Sequence, residues 1–101
     1  MRVIVFFDLP METSAEKRAY NRFRKMLLKS GFLMMQKSVY SKLALNQTAA
    51  KTIIEQVKNN KPKEGTVAVM VITEKQYSAI EYILGECSSD ILNTDERLVE
   101  I

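Results

Sequence analysis

In two short runs of the chain, apolar residues occupy both the odd and the even positions. The first spans residues 2–8 (RVIVFFD) and the second spans residues 66–73 (TVAVMVIT). β-Branched and aromatic residues in such runs favour strands, and strands that are apolar on both sides are typical of a sheet covered on both faces. We therefore predict two buried strands, the first of which ends at Leu9 and Pro10.

A helical pattern follows the first strand. Thr13 and Glu16 have capping-box spacing, in which each side chain bonds the backbone amide of the other residue. The predicted helix runs from about Ser14 to Ser30, and Gly31 can end it in the left-handed conformation. Its apolar residues share one face at helical spacing. They are Ala19, Tyr20, Phe23, Met26 and Leu27.

The rest of the chain supplies shorter elements. Residues 32–45 are predicted to be extended, as one strand or as two strands broken near Gln36 and Lys37. Asn46 can cap a second helix that ends within residues 59–62. Residues 73–76 can cap a short helical turn that includes Tyr77 and Ile80. The second helix is predicted from the spacing of Ala50, Ile53, Ile54 and Val57.

This order of elements matches an α+β, ferredoxin-like sandwich over residues 1–84, with strand, helix, two strands, helix and strand. Residues 85–96 form a polar linker, and residues 97–101 return as a C-terminal strand. Two helices cover only one face of the sheet, so a large apolar patch is expected on the other. We expect a homodimer packed sheet to sheet, with the C-terminal strand exchanged onto the partner's edge strand. The alternative is a tail that folds back over its own sheet.

Positive charge is concentrated in one part of the chain. The net charge is +3, yet residues 17–54 hold nine basic residues and no acidic residue. On the predicted first helix, basic residues recur at a spacing that gathers them into one stripe. Long, flexible cations in this arrangement suit contact with phosphates rather than the reading of bases, although a solvated helix face is the alternative. The stripe consists of Arg18, Arg22, Lys25 and Lys29, with Lys17 on the opposite flank of the apolar face.

Composition narrows the possible chemistry. A chain of 101 residues, 47% of them hydrophobic and 27% charged, has the composition of one globular domain. It contains no histidine, which excludes histidine-based catalysis and histidine-ligated zinc. The single Cys87 excludes an internal disulfide and is typical of a reducing compartment. We expect a cytoplasmic protein without a signal peptide or membrane contact, because no apolar run approaches the ~20 residues of a membrane span.

Asp8 is the main candidate for metal chemistry. A carboxylate that closes an apolar strand either caps the following loop or binds magnesium. Magnesium commonly takes one or two protein carboxylates, so Glu12 or the Asp8 of a second subunit are candidates for the other ligand. Without histidine as a general base, hydrolysis would need hydroxide generated on the metal.

Four segments together resemble a known family. They are FFDLP, KRAYNRFRKMLLKSGF, QKSVYSKL and the terminal RLVEI. In this order they resemble the small CRISPR-associated spacer-acquisition proteins, a family also described as CRISPR-associated endoribonucleases. The resemblance covers nearly the whole chain, is most specific at residues 36–40, and is nearest to the version that accompanies type II systems.

The resemblance implies a ferredoxin-like homodimer with exchanged C-terminal strands, flanked by two dimers of a larger integrase that inserts foreign DNA into a repeat array. It implies that Asp8 binds magnesium opposite its symmetry mate. It also implies DNA-backbone contacts from Lys17, Arg18 and Arg22, and docking of the integrase on the tail from about Arg97.

Three functions are consistent with these features. The leading one is a scaffold subunit of spacer acquisition for antiviral defence, which binds duplex DNA without sequence preference through Lys17, Arg18, Arg22, Lys25 and Lys29. The second is a magnesium-dependent endonuclease that cleaves RNA or DNA with Asp8 as the catalytic residue from both subunits. The third is a toxin-like ribonuclease outside any acquisition complex.

Overall fold

A computed structural model describes residues 1–86 of the chain. Its four strands form one antiparallel sheet, and their spatial order is Leu33–Gln36, Val39–Leu43, Arg2–Asp8 and Thr66–Ile72, which is the predicted ferredoxin-like α+β arrangement. The predicted C-terminal strand and nearly all of the linker, including Cys87, lie outside the described residues. The elements are β1 (Arg2–Asp8), α1 (Ser14–Lys29), β2 (Leu33–Gln36), β3 (Val39–Leu43), α2 (Gln47–Asn59), β4 (Thr66–Ile72) and α3 (Glu74–Ser78).

The extended stretch of residues 32–45 is two strands rather than one. β2 and β3 are joined by a tight turn in which Ser38 has a φ of 68°, and their register shifts between Met34 and Gln36. β1 lies between β3 and β4, with Val5 opposite Tyr40 on one side and Val69 on the other.

One side of the sheet, here called the helix face, is closed by α1 and α2. Val3, Val5 and Phe7 point to this side and are buried with Phe23 and Leu27 of α1. The ring of Phe7 lies at its centre, because its centroid is 5.9 Å, 5.0 Å and 5.8 Å from those of Tyr20, Phe23 and Tyr40.

The caps that were predicted for the two long helices are confirmed. Thr13 Oγ1 accepts from the Glu16 amide at 3.1 Å, and Glu16 Oε1 accepts from the Thr13 amide at 2.9 Å. Asn46 Oδ1 accepts from the Ala49 amide at 2.8 Å. At the end of α1, Gly31 adopts a φ of +96°.

The other side of the sheet, here called the open face, carries Ile4, Phe6 and Asp8 of β1 together with Met70 and Ile72 of β4. The apolar patch that was expected opposite the two long helices lies here, but it is smaller than expected, since α3 and the following Ile80 lie over part of this face and leave a groove of about 570 Å³. Ile80 lies after the end of α3, not within it as predicted.

An ion pair fixes α3 to the first residues of the chain. Arg2 Nε lies 2.9 Å from Glu74 Oε2, and the Arg2 guanidinium lies 4.3 Å from the ring centroid of Tyr77. Ile4 is only 3% exposed, whereas Phe6 and Met70 remain 41% and 49% exposed. The open face is therefore apolar and only partly covered by the described residues.

No helix in the described part of the chain is both long enough and apolar enough to cross a membrane.

Candidate nucleic-acid interface

The structure confirms that the predicted basic residues lie on the outer surface of α1. Its buried side is formed by Tyr20, Phe23 and Leu27, so the cations at other helical positions point to solvent. All five are exposed: Arg18, Arg22, Lys25 and Lys29 form the surface here called the basic stripe, and Lys17 lies on the opposite flank of the buried side. Within residues 1–86, the ion pairs of the structure join other residues, so the stripe has no carboxylate partner there.

Part of the basic stripe lines a groove between the two long helices. Arg22, Lys25 and Lys29 lie on its α1 side, and Gln56 and Asn60 at the end of α2 line the other. The groove has a volume of about 620 Å³ and is open to solvent. It combines three cations with two amide side chains, which are suitable donors for phosphate oxygens.

Arg24 belongs to the core side of α1 rather than to the basic stripe. It is half-buried and lies close enough to Tyr40 for its charge to act on the phenol. Burial raises the pKa of the Tyr40 phenol above 10.0, because the charged form loses solvation, and the nearby Arg24 opposes this only in part. Tyr40 is therefore neutral near pH 7, and Arg24 is not one of the exposed cations of α1.

Asp8 is an exposed residue at the end of β1 on the open face, opposite Thr66 of β4. The basic stripe lies on the other side of the sheet, so the structure does not bring the two predicted sites together in one chain. Glu12 lies in the loop before α1, where its amide donates to Glu16 Oε1 at 2.9 Å.

Gly65 positions the backbone next to Asp8. A Cβ at Gly65 would lie 2.6 Å from the carbonyl oxygen of Asp8 and 2.7 Å from Leu9 Cδ2, and its φ is +96°. Only glycine fits this close approach and this conformation without strain. The loop after α2 is thereby held against the end of β1.

The residues around Asp8 provide a limited set of metal ligands. In the part of the chain that the structure describes, no three acidic or cysteine residues group closely enough to hold a metal ion. The Asp8 carboxylate is a hard oxygen ligand of the kind that magnesium prefers, and magnesium completes its shell with water and phosphate oxygens. One chain therefore offers one carboxylate to such an ion at this position.

Comparison with known proteins identifies the family. The family model described as CRISPR associated protein Cas2 matches residues 1–80. The chain belongs to the Cas2 family. This confirms the resemblance seen in the sequence.

The Cas2 relatives match almost the full length of the chain. A protein of Treponema denticola, named CRISPR-associated endoribonuclease Cas2, is 58% identical over 98% of both chains. A protein of the same name from Streptococcus mutans serotype c is 48% identical over 98% of this chain and 91% of its own. The crystal structure of Streptococcus pyogenes Cas2 at pH 6.5 has a TM-score of 0.61 and 18% identity, over 84% of this chain and 100% of that one. The last similarity supports the fold.

Two features of this Cas2 structure were not predicted from the sequence. Gly65 stands directly before β4, and a glycine at the start of a strand is a recognised signal of close backbone approach. Lys61 and Lys63 lie in the loop after α2 and extend the basic surface beyond α1. Their place beside α1 depends on how the loop folds back, which no local pattern specifies.

Proposed function

We propose that this Cas2-family protein is a dimeric scaffold that binds duplex DNA through its phosphates during CRISPR spacer acquisition. The observation that supports this most directly is the basic stripe, an exposed helix surface of one charge sign without carboxylate partners in the described residues. Cations that lack protein partners are available to replace counterions along a polyanion.

The character of the stripe favours binding without sequence preference. Lysine and arginine on an exposed helix face reach phosphates from many angles, whereas base reading needs an element that enters a groove. The aromatic residues of α1, Tyr20 and Phe23, are buried and face the sheet, so they offer no platform for stacking bases.

The open face supports a second copy of the chain as the partner. Phe6, Met70 and Ile80 are exposed apolar residues next to one another on this face. Contiguous apolar surface of this kind marks an interface in a protein that must stay soluble. Two open faces packed together around a two-fold axis would cover each other and leave each α1 on the outside.

The edge of the sheet is consistent with strand exchange. β4 is an edge strand whose outer side pairs with no strand in the described part of the chain, and an unpaired edge is a template for an additional strand. The proposal assigns strand exchange to residues 97–101, which follow the polar linker of residues 85–96. It assigns the docking of a larger integrase, two dimers of which would flank the scaffold, to the tail from about Arg97.

Salt dependence tests the DNA-binding part of the proposal. Affinity for duplex DNA should fall steeply with salt, and each phosphate contact that is lost should lower the slope by roughly 0.9. Arg18→Ala with Arg22→Ala should therefore flatten the slope. The charge-matched control is Lys37→Ala with Lys75→Ala, at exposed positions outside the two long helices. An identical slope for both double variants would contradict the assignment.

A second candidate function is a magnesium-dependent endonuclease in which Asp8 binds the metal. It is favoured by the exposed Asp8 carboxylate at a strand end, and the relatives are named endoribonucleases. Magnesium, when bound, would supply a hydroxide in a chain without histidine. Asp8 would hold the ion together with the partner's equivalent carboxylate.

Asp8→Asn separates the two functions. If the protein is a scaffold, the variant should dimerise and bind DNA as the unaltered protein does. If it is a nuclease, the variant should no longer cleave RNA and DNA substrates. Glu55→Gln is the matched control, since it removes an exposed carboxylate from α2, on the opposite side of the sheet from Asp8. Cleavage that persists in Asp8→Asn at the rate of the unaltered protein would remove Asp8 from the mechanism.

A further inference from the structure

A cleft next to the basic stripe has the properties of a nucleotide site. It lies between the first half of α1, the loop after β1 and the loop after α2, and its volume is about 450 Å³. We infer that this cleft, here called the loop cleft, binds one unpaired nucleotide, with the base inside and the phosphate at the rim. Its volume is within the range of about 300–1,000 Å³ that is typical of small-molecule sites.

The inner wall of the loop cleft is apolar and preformed. Leu9, Tyr20 and Phe23 line it and are buried members of the core, so the wall is fixed by the packing of β1 and α1. Pro10 and Pro62 line the two loops, and the fixed φ of proline restricts the motion of both. An apolar wall held in place in this way suits the flat, apolar faces of a nucleobase.

The rim of the loop cleft is cationic. Arg22, Lys61 and Lys63 line it together with two carboxylates, Glu16 and Glu64. The Glu16 carboxylate is occupied, because it accepts from the amides of Glu12 and Thr13 at 2.9 Å each. Glu16 nevertheless keeps its charge, so three cations without ion-pair partners in residues 1–86 stand against two carboxylates, and the positive excess complements a phosphate.

Arg22 connects the loop cleft to the groove between α1 and α2. It lines both, and the groove also holds Lys25 and Lys29. A strand whose phosphates follow the groove would arrive at the rim of the cleft. The nucleotide can therefore come from two sources, a free nucleoside monophosphate or the unpaired end of a bound strand.

Titration of the full chain with a nucleoside monophosphate tests the cleft itself. Adenosine 5′-monophosphate should shift the amide resonances of residues 9–10, 19–23 and 61–64. Adenosine and inorganic phosphate, each alone, should bind at least about tenfold more weakly, since each fills only one part of the cleft. Equal affinity for phosphate and nucleotide would overturn the inference and leave only an anion site.

Matched variants locate the binding. Lys61→Ala with Lys63→Ala should weaken nucleotide binding by about tenfold, since hydrogen bonds to charged groups are lost. Lys37→Ala with Lys75→Ala removes the same charge away from the cleft and should have little effect. Ala19→Leu should also weaken binding, because it fills the cleft while retaining a residue that favours helix. Its thermal unfolding temperature shows whether the variant is folded.

A comparison of duplexes with and without single-stranded overhangs distinguishes the two sources of the nucleotide. The strand-end source rests on the scaffold proposal, and the same comparison tests the cleft and the scaffold separately. If a strand end is the ligand, duplexes with three-nucleotide overhangs should bind more tightly than blunt duplexes, and Lys61→Ala with Lys63→Ala should remove the preference. Equal binding of both duplexes, with nucleotide binding intact, assigns the cleft to free nucleotides. If the protein binds blunt duplexes normally but binds no nucleotide, the inference about the cleft is wrong and the scaffold proposal still holds. Resonance shifts in the cleft with an acidic peptide, but with no nucleotide, would assign it to a protein partner and overturn the inference.

Discussion

The helix face and the open face of the sheet are built from the same strands but are covered to different extents. Phe7 and Phe6 are neighbours in β1, and Phe7 is 7% exposed among aromatic rings whereas Phe6 is 41% exposed. The helix face is completed by α1 and α2, while the open face has only the short α3 and Ile80 in the described residues. Apolar sequence alone therefore does not show which face a chain covers by itself. The incompletely covered face is the one that the proposal assigns to a second copy of the chain.

The largest expected difference between the two faces is in the unfolding free energies of Phe7→Ala and Phe6→Ala. Phe7→Ala removes a ring that contacts three others and should lower the free energy of unfolding by about 3–5 kcal/mol at every protein concentration. Phe6→Ala should cost much less in dilute solution, with a deficit that grows as concentration favours association. Urea unfolding at several concentrations measures both. Equal losses that do not vary with concentration would show that the two faces are equivalent.

A charge on the open face should disrupt association without unfolding the protomer. Met70→Lys places a cation on an edge strand, where 49% exposure lets the folded protomer tolerate it. In a packed interface the same cation is desolvated without a partner, so the dimer dissociation constant should rise about 100-fold or more. Leu45→Lys, at an apolar residue that is 89% exposed in the loop before α2, is the control. Sedimentation equilibrium compares them, and unchanged association of Met70→Lys would argue against this face as the interface.

The two capping boxes should contribute unequally. Thr13→Ala removes the cap of α1, which supplies Tyr20, Phe23 and Leu27 to the core, and should cost about 1 kcal/mol of unfolding free energy. Thr73→Ala removes the same type of cap from α3, which buries no residue of its own, and should cost less. Thermal or urea unfolding measures the pair. A larger loss for Thr73→Ala would mean that α3 stabilises the protomer more than its burial indicates.

The smallest expected effect is the pH dependence of the α1 cap. Hydrogen bonds from the Thr13 amide, and then from the Glu12 amide, hold the pKa of Glu16 below its usual 4.5 despite some desolvation. The ionised form is therefore favoured by folding. This stabilisation is fully present above pH 4.5 and is lost as the pH falls through the lower folded pKa. Urea unfolding between pH 7 and pH 3 measures this effect. The unaltered protein should lose this part of its unfolding free energy as the pH falls, and Glu16→Gln should not. If the unfolding free energies of the two proteins change in parallel with pH, the α1 cap is not the origin of the pH dependence.

Local patterns predicted most of the fold. The caps at Thr13 and Asn46, the left-handed Gly31 and the apolar face of α1 each depend on residues within a few positions of one another. The cover that α3 gives to the open face was missed, because it depends on the pair of Arg2 with Glu74, which are 72 positions apart in the chain.

The candidate sites were predictable to different degrees. Helical spacing was sufficient to place the basic stripe on one exposed surface, since it depends on a single element. Asp8 was correctly expected at a strand end. The proposed second magnesium ligand is the Asp8 of another protomer, so its position depends on how two chains associate. The loop cleft was not predicted, because Leu9, Arg22 and Lys61 meet only when two loops fold against α1.

The most direct test is the mass of the unaltered protein in solution, since two copies joined through their open faces are central to this account. Sedimentation equilibrium at micromolar concentration should give a particle of twice the 11.6 kDa chain mass. Monomers at that concentration, with the fold intact by circular dichroism, would contradict it.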